Sequence, residues 1–305
     1  MLDPALSLRQ VRVFLEIARL GSLSAAADTL NVSQPAVSKT LKDLEDLLGT
    51  ALFDRTGRGM VLTRAGRLFQ RHSGAAVVDL EKAQDLVRGG RGRGSRLAIG
   101  LLPTVATDIA PRAALAFRQR FPDTVLRLST GPNWMLRAQL LEGALDMVVG
   151  RMAAAELMEG LSFRQLYTDR IVAVVRPGHP LIGNRDPSAL ATVPLMLPPA
   201  GAVIAATVRA FLLRSGLQAE EPAFETVSLA FGRKVVMLSD TVWFISQGVI
   251  ADELAAGSLA TLDVGDPLLA GPVGISMRDQ AVIGPDLAGL IEAFEMAAGE
   301  AQKNA

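Results

Sequence analysis

The sequence predicts a multidomain protein: an all-α winged helix-turn-helix head, a long linker helix, and a two-lobed α/β domain. Three observations predict it. From Leu8 to Arg88 apolar residues recur at helical spacing, interrupted near residues 52–63. Residues 89–94 read Gly-Gly-Arg-Gly-Arg-Gly, a composition that cannot hold a helix and reads as a hinge. From Arg96 onward short apolar runs alternate with helix-period segments, the texture of an α/β fold.

The first helix is expected over Leu8–Leu20, with Leu8, Val11, Phe14, Leu15 and Ala18 on one face and Gly21 as its stop. The stretch Ser22 to Leu48 divides into two further helices. Ser24 is the expected N-cap of the first, which is short and Ala-rich. Asn31 suits the left-handed residue that ends it. Ser33 is the expected N-cap of the second, and Pro35 lies in its first turn, where a missing N–H costs nothing. Val37, Leu41, Leu44 and Leu48 form its apolar stripe; Gln34, Ser38, Lys39 and Lys42 lie off it. Such a pair can enter a DNA major groove, although an αα-hairpin with a solvated lysine face has the same pattern. The flanks favour DNA. Past Gly49, Leu52–Thr56 and Met60–Thr63 read as two short strands around the basic turn Gly57-Arg58-Gly59. This has the form of a wing whose Arg55 and Arg58 meet phosphates or the minor groove; the plainer reading is a solvated hairpin.

Thr63 caps a helix running to about Arg88. On it Ala65, Phe69, His72, Ala76, Leu80, Ala83 and Val87 make a near-heptad seam. The expected partner of this seam is a second copy of the chain, and a two-fold dimer presents two recognition helices to two half-sites. The glycine run that follows lacks the spacing of a dinucleotide fingerprint and precedes a strand instead of following one, so no cofactor is expected.

In the remainder, strands are expected at Leu97–Leu102, Thr124–Ser129 and Asp146–Gly150, with helices from Pro103 to about Arg120 and from Pro132 to Leu141. A second α/β unit follows, with strands at Ile171–Val175, Val193–Leu197, Phe224–Val227 and Val242–Ile245. Its helices lie before Arg214, over about Ser228–Met237 and over Gln247–Ala255. Val273–Met277 and the helix Gly284–Ala298 return to the first unit. Two such lobes with crossing connections enclose a cleft, as in periplasmic binding proteins. The expected division is head 1–63, linker helix and hinge 64–94, and two-lobed domain 95–305. Lobe one takes 95–166 and 268–305; lobe two takes 167–267.

Composition narrows the function. The 305 residues carry 31 Lys+Arg and 31 Asp+Glu, but 14 of the bases and 10 of the acids lie in the first 94 residues, leaving an acidic remainder. The chain has no cysteine, which excludes disulfides and thiolate metal sites, and its two histidines, His72 and His179, lie far apart, so no metal is expected. No run of 18 apolar residues suggests a membrane span, and the acid-bearing N-terminus with Arg9 and Arg12 does not read as a signal peptide; a cytoplasmic location is expected. Nucleophile-elbow, phosphate-loop and His-rich metal motifs are missing, so an enzyme is not expected. A solute-binding protein would explain residues 95–305 but not the head.

The pattern Leu8…Phe14…Ala18…Gly21-Ser22…Ala25-Ala26-Ala27…Leu30…Ser33-Gln34-Pro35-Ala36-Val37-Ser38…Leu44-Glu45…Leu48-Gly49…Leu52-Phe53-Asp54-Arg55…Leu62-Thr63…Gly66 resembles the LysR-type transcriptional regulators. The resemblance covers nearly the whole chain. It implies a homotetramer built as a dimer of dimers, double-stranded DNA with an interrupted palindrome, RNA polymerase as a further partner, and DNA bending altered by a small metabolite in the cleft. Residues 131–133, 145–152 and 174–181 look most like regulators of protocatechuate catabolism, which respond to an unsaturated polycarboxylate. A branch regulating sugar uptake shares much of this texture.

Chemistry assigns candidate roles. Gln34 suits an adenine edge, and Pro35 and Ala36 suit thymine methyls. Ser24, Ser33, Ser38, Lys39 and Lys42 suit phosphates, and Arg55 and Arg58 suit the wing's contacts. In the cleft, strand-to-helix turns carry Thr104, Thr130 with Asn133, and Gly201, where hydroxyls and free N–H groups favour a small carboxylate effector. Arg151 follows a strand and suits a carboxylate. The alternative is that both threonines only cap helices and that Arg151 is a surface ion pair. The family resemblance adds Ser246 to the pocket.

Overall fold

The structure, a computed structural model, describes residues 3–56, 59–88, 96–217, 221–279 and 281–303. The glycine run and the wing tip Gly57-Arg58 lie outside them. The chain divides into two compact units, Met1–Arg93 with Leu141–Ala144, and Gly94–Leu140 with Leu145–Ala305.

The head begins with α1 (Leu8–Leu20), held at its start by a reciprocal capping box between Ser7 and Gln10 and at its end by Gly21 at φ 64°. Its buried residues are Val11, Val13, Phe14 and Ile17, while Leu8 is exposed. The core face is thus turned from the expected one, because Val13 and Ile17, one turn apart, point inward with Phe14. In α2 (Leu23–Leu30) the capping hydroxyl is Ser22, which accepts from Ala25 N–H, and not Ser24, which lies inside the first turn. Ser22 has the extended backbone that an N-cap requires. Asn31 is left-handed at φ 53°. α3 (Gln34–Leu48) starts after Ser33, whose backbone is that of an N-cap but whose hydroxyl makes no capping bond. α3 buries Val37, Leu41 and Leu44, and Gly49 ends it in the left-handed region.

The strands β1 (Phe53–Thr56) and β2 (Gly59–Leu62) pair antiparallel, with Phe53 opposite Leu62. Two contacts fix this wing to the helices. The Glu45 carboxylate accepts from Leu52 N–H at 2.7 Å and Phe53 N–H at 3.3 Å, and Met60 N–H donates to Gly21 O at 2.9 Å. Thr63 caps α4 (Arg64–Arg88) through Gly66 N–H. A Cβ on Gly66 would meet Leu52 O at 2.0 Å, so only glycine fits there. Phe14 lies at the centre, its ring 5.3 Å from Phe53 and 5.0 Å from Phe69, which ties α1, β1 and α4 together.

The second unit is built on one mixed sheet. β3 (Arg96–Leu101) leads to α5 (Pro103–Ala106) and α6 (Ile109–Arg120). A single helix was expected here. Pro111 would clash with the carbonyl of residue 107 in a continuous helix, so the chain breaks at Thr107-Asp108 and Pro111 falls in a new first turn. There follow β4 (Val125–Thr130), α7 (Asn133–Leu141), β5 (Met147–Arg151) and β6 (Leu161–Val175). Lobe two adds β7 (Leu195–Leu197), α8 (Ala205–Arg214), β8 (Phe224–Glu225), α9 (Leu229–Leu238), β9 (Val242–Ser246), α10 (Ala251–Ala255) and β10 (Ala260–Leu262). The chain returns through β11 (Ala270–Arg278) and α11 (Pro285–Lys303).

The strand order is β4-β3-β5-β11-β6-β9-β7-β8, with β10 also on β6. β3 runs parallel to β4 and β5, and β7 parallel to β8 and β9; β11 and β6 are antiparallel to their neighbours. β6 joins the lobes. Its residues Leu161–Arg170 pair with β11, and Ile171–Val174 pair with β9. Sequence periodicity found only the second part of β6, because the alternation of the first part breaks at the polar pair Arg164-Gln165. β10 was missed for its shortness. Lobe one packs α6 and α11 on one sheet face around Phe117, Leu290 and Phe294, and α7 on the other around Leu136 and Leu140. Lobe two has its own core around Phe211, Trp243 and Phe244. Each such fully buried side chain contributes roughly 1.5–3 kcal/mol.

Candidate functional site

Two surfaces carry the candidate residues. In the head, burying Val37, Leu41 and Leu44 turns the opposite side of α3 outward. Ser33, Gln34, Pro35, Lys39 and Lys42 are exposed, and Ala36 and Ser38 are half-buried. Pro35, Ser38, Lys39 and Lys42 are spaced i, i+3, i+4 and i+7, so they form one stripe. Among the described residues Lys39 and Lys42 have no ion-pair partner, so a stripe of positive charge faces solvent with nothing of its own to neutralise it. Ser24 is exposed on α2. Arg55 lies on β1 opposite Met60; Arg58 falls outside the described residues. Along α4, Ala65 and Phe69 pack into the head's core, whereas His72, Ala76, Leu80 and Ala83 are exposed.

In the second unit every candidate lies at or just beyond the C-terminal end of a strand, where ligands of open α/β sheets gather. Thr104 follows β3, Thr130 and Asn133 bracket the turn after β4, Arg151 ends β5, Gly201 follows β7, and Ser246 ends β9. The structure brings two of them into contact across the lobes: Thr104 Oγ1 lies 3.2 Å from Ser246 Oγ. Both are buried, at 6% and 2% exposure. Either hydroxyl can be the donor of this pair. A further interlobe bond runs from Thr107 Oγ1 to Gly248 O at 3.1 Å.

Arg151 departs from expectation. It is neither on the surface nor free. It is 7% exposed, and its Nη2 donates to both Asp169 Oδ2 and Asp169 O at 3.1 Å. Gly271 makes room for this guanidinium, since a Cβ there would lie 2.3 Å from Nη1. The Arg151 Nε is buried without a partner among the described residues. Asp169 Oδ1 in turn accepts from Gly248 N–H at 3.4 Å. Burial pushes the Asp169 carboxyl above the usual aspartate range, and the Arg151 charge and the bonds from Ser246, Arg151 and Gly248 only partly offset this.

The other candidates stand apart from this group. Thr130 is exposed at the sheet edge. Asn133 is half-buried and lines, with Gly150 and Arg151, a cavity of about 20 Å³, room for one water. Gly201 is exposed on the lobe-two turn that faces Trp134; a Cβ on it would lie 4.0 Å from Trp134 Cδ1. Val203, on the same turn, packs on the lobe-one cluster of Leu102, Leu136 and Leu140. Sequence reasoning missed Asp169, Thr107 and Gly248. The one available signal was an acid set just ahead of the apolar run Ile171–Val175.

Comparisons with known proteins cover both units of the chain. Residues 8–67 match the bacterial regulatory helix-turn-helix protein, lysR family, and residues 90–298 match the LysR substrate binding domain. The chain is 41% identical to the HTH-type transcriptional regulator PcaQ of Agrobacterium fabrum, over 98% of this chain and 97% of that one. It is 34% identical to the uncharacterized HTH-type transcriptional regulator YdcI of Escherichia coli, over 90% of each. In fold it is similar to full-length CbnR, a structure complexed with target DNA, with a TM-score of 0.60 at 20% identity, covering 96% of this chain and all of that one.

Proposed function

The chain belongs to the LysR family of bacterial transcriptional regulators, and from this premise we propose how it reads DNA and what it senses. Family membership makes it a transcriptional regulator with an effector-binding domain, not an enzyme. Residues 1–63 are the DNA-binding head, 64–94 the linker helix and hinge, and 95–305 the effector-binding domain. The α3 helix enters the major groove of an interrupted palindrome. Gln34 reads a base edge, Pro35 and Ala36 touch thymine methyls, and Ser24, Ser33, Ser38, Lys39 and Lys42 hold phosphates. Arg55 and Arg58 carry the wing's contacts. Two copies join along residues 65–87, which the exposed His72, Ala76, Leu80 and Ala83 support, and pairs of dimers make a tetramer. Work on DNA places the protein in the cytoplasm, with RNA polymerase as a further partner.

The effector is a small unsaturated carboxylate of aromatic catabolism, of the protocatechuate type. The identity to PcaQ supports this class. The observation that carries the site is the meeting of Thr104 and Ser246 at strand ends of opposite lobes, beside Arg151. Thr104, Ser246 and Arg151 form the floor; Thr130, Asn133 and Gly201 stand nearer the mouth. Titration calorimetry with 3-carboxy-cis,cis-muconate tests it. Thr104→Val is expected to weaken binding about tenfold or more, the loss of one hydrogen bond to a charged group. Equal affinity in both proteins removes Thr104 from the site, and an absence of binding to the unaltered chain removes the effector class.

A further inference from the structure

Resting on the cleft assignment above, we infer that Asp169 is an internal stand-in for the ligand carboxylate: it holds the Arg151 guanidinium and yields it when a ligand enters. Four observations carry this. The pair is buried on both sides, with side-chain exposures of 6% and 4%. Asp169 lies on β6 where that strand crosses from one lobe to the other, so it holds lobe one through Arg151 and lobe two through Gly248 at once. The candidate effector residue Arg151 is already bound to this carboxylate, so an incoming carboxylate meets a site already filled by its own kind of group. The guanidinium is incompletely used, because its buried Nε has no acceptor among the described residues, and a second carboxylate has a donor to gain.

When Arg151 turns to a ligand, Asp169 keeps the Gly248 N–H donor. Its carboxyl, already pushed up by burial, moves further up once the cation is turned away. Asp169 is therefore a positioning residue: it ties the lobes together through Arg151 and Gly248 and releases that hold on binding.

The test uses the full chain. Asp169→Ala opens a hole the size of a carboxylate beside Arg151. Its melting midpoint in sodium chloride is expected to fall, and sodium formate at matched ionic strength to recover at least half of the loss, with no such gain for the unaltered chain or for Thr107→Val, which cuts an interlobe bond away from Arg151. Asp169→Asn keeps the size of the side chain but removes the competing charge, and it is expected to bind cis,cis-muconate about tenfold more tightly than the unaltered chain. The neutral diamide of the same acid gains nothing. A merely structural Asp169 predicts weaker or equal binding in Asp169→Asn and no selective recovery by formate; either result overturns the inference. If muconate binds neither protein, this dicarboxylate is not a ligand of the cleft, and the formate comparison alone then decides the role of Asp169. If Asp169→Ala does not fold, Asp169→Asn carries the decision.

Discussion

Replacing Gln34 by Ala separates reading of sequence from grip on phosphate. Gln34 is the first residue of α3 and is exposed, and its side chain makes no hydrogen bond among the described residues. Alanine is at least as good a helix former, so folding stability should not fall. The whole effect then appears in binding. A bidentate base contact contributes about 1–3 kcal/mol of discrimination, which is roughly 5- to 150-fold on the cognate duplex and under about twofold on a random one. Lys42→Ala acts the other way. Its side chain is exposed and has no ion-pair partner among the described residues, so its loss weakens both duplexes alike and lowers the slope of log affinity against log salt by about 0.9 per head. Fluorescence anisotropy with both duplexes across a salt series measures the two quantities together. Equal loss on cognate and random DNA by Gln34→Ala, with an altered salt slope, refutes base reading by this residue.

Two further outcomes are expected. Phe14→Ala empties the centre of the head, where the ring is fully buried between Phe53 and Phe69, and costs about 3–5 kcal/mol. Calorimetry should show the head's transition lowered or lost while that of the effector domain stays, and gel shift should show DNA binding gone. Asp169 sets a pH dependence. Its carboxyl titrates above the ordinary value near ~3.9, so the folded state holds its proton more tightly than the unfolded state does. Its contribution to stability is thus fully present below the unfolded value and lost as pH rises through the folded one. Denaturant melts at stepped pH should show the unaltered chain gaining on Asp169→Asn as the solution is acidified through that range; a flat difference contradicts the raised titration.

The head was legible almost to the residue, because its signals act within one turn. Leu8–Leu20, the left-handed Asn31, the Gly49 stop and the Thr63 cap are each encoded by neighbours no more than four positions away. The same locality limited the reading. Ser22 and Ser24 are equally good capping residues by type, and only the backbone path into α2 selected Ser22. The break before α6 was also available in principle, since Pro111 alone forbids a continuous helix. The strand ends that bear Thr104, Arg151, Gly201 and Ser246 could likewise be placed, because an α/β sheet puts its ligand residues there.

What joins those strand ends belongs to the tertiary structure. Thr104 meets Ser246 across 142 positions, Asp169 meets Gly248 across 79, and Arg151 meets Asp169 across 18, through a crossing strand whose polar first half has no helical or buried-strand period. Periodicity says which face of an element is apolar, but not which charge a folded sheet sets beside an arginine. The sequence determined a winged head and a two-lobed regulator; the fold alone decided that Arg151 already holds a carboxylate. Desolvation is the reason: a guanidinium carried into the interior must be neutralised there, and only the packed lobes determine by what.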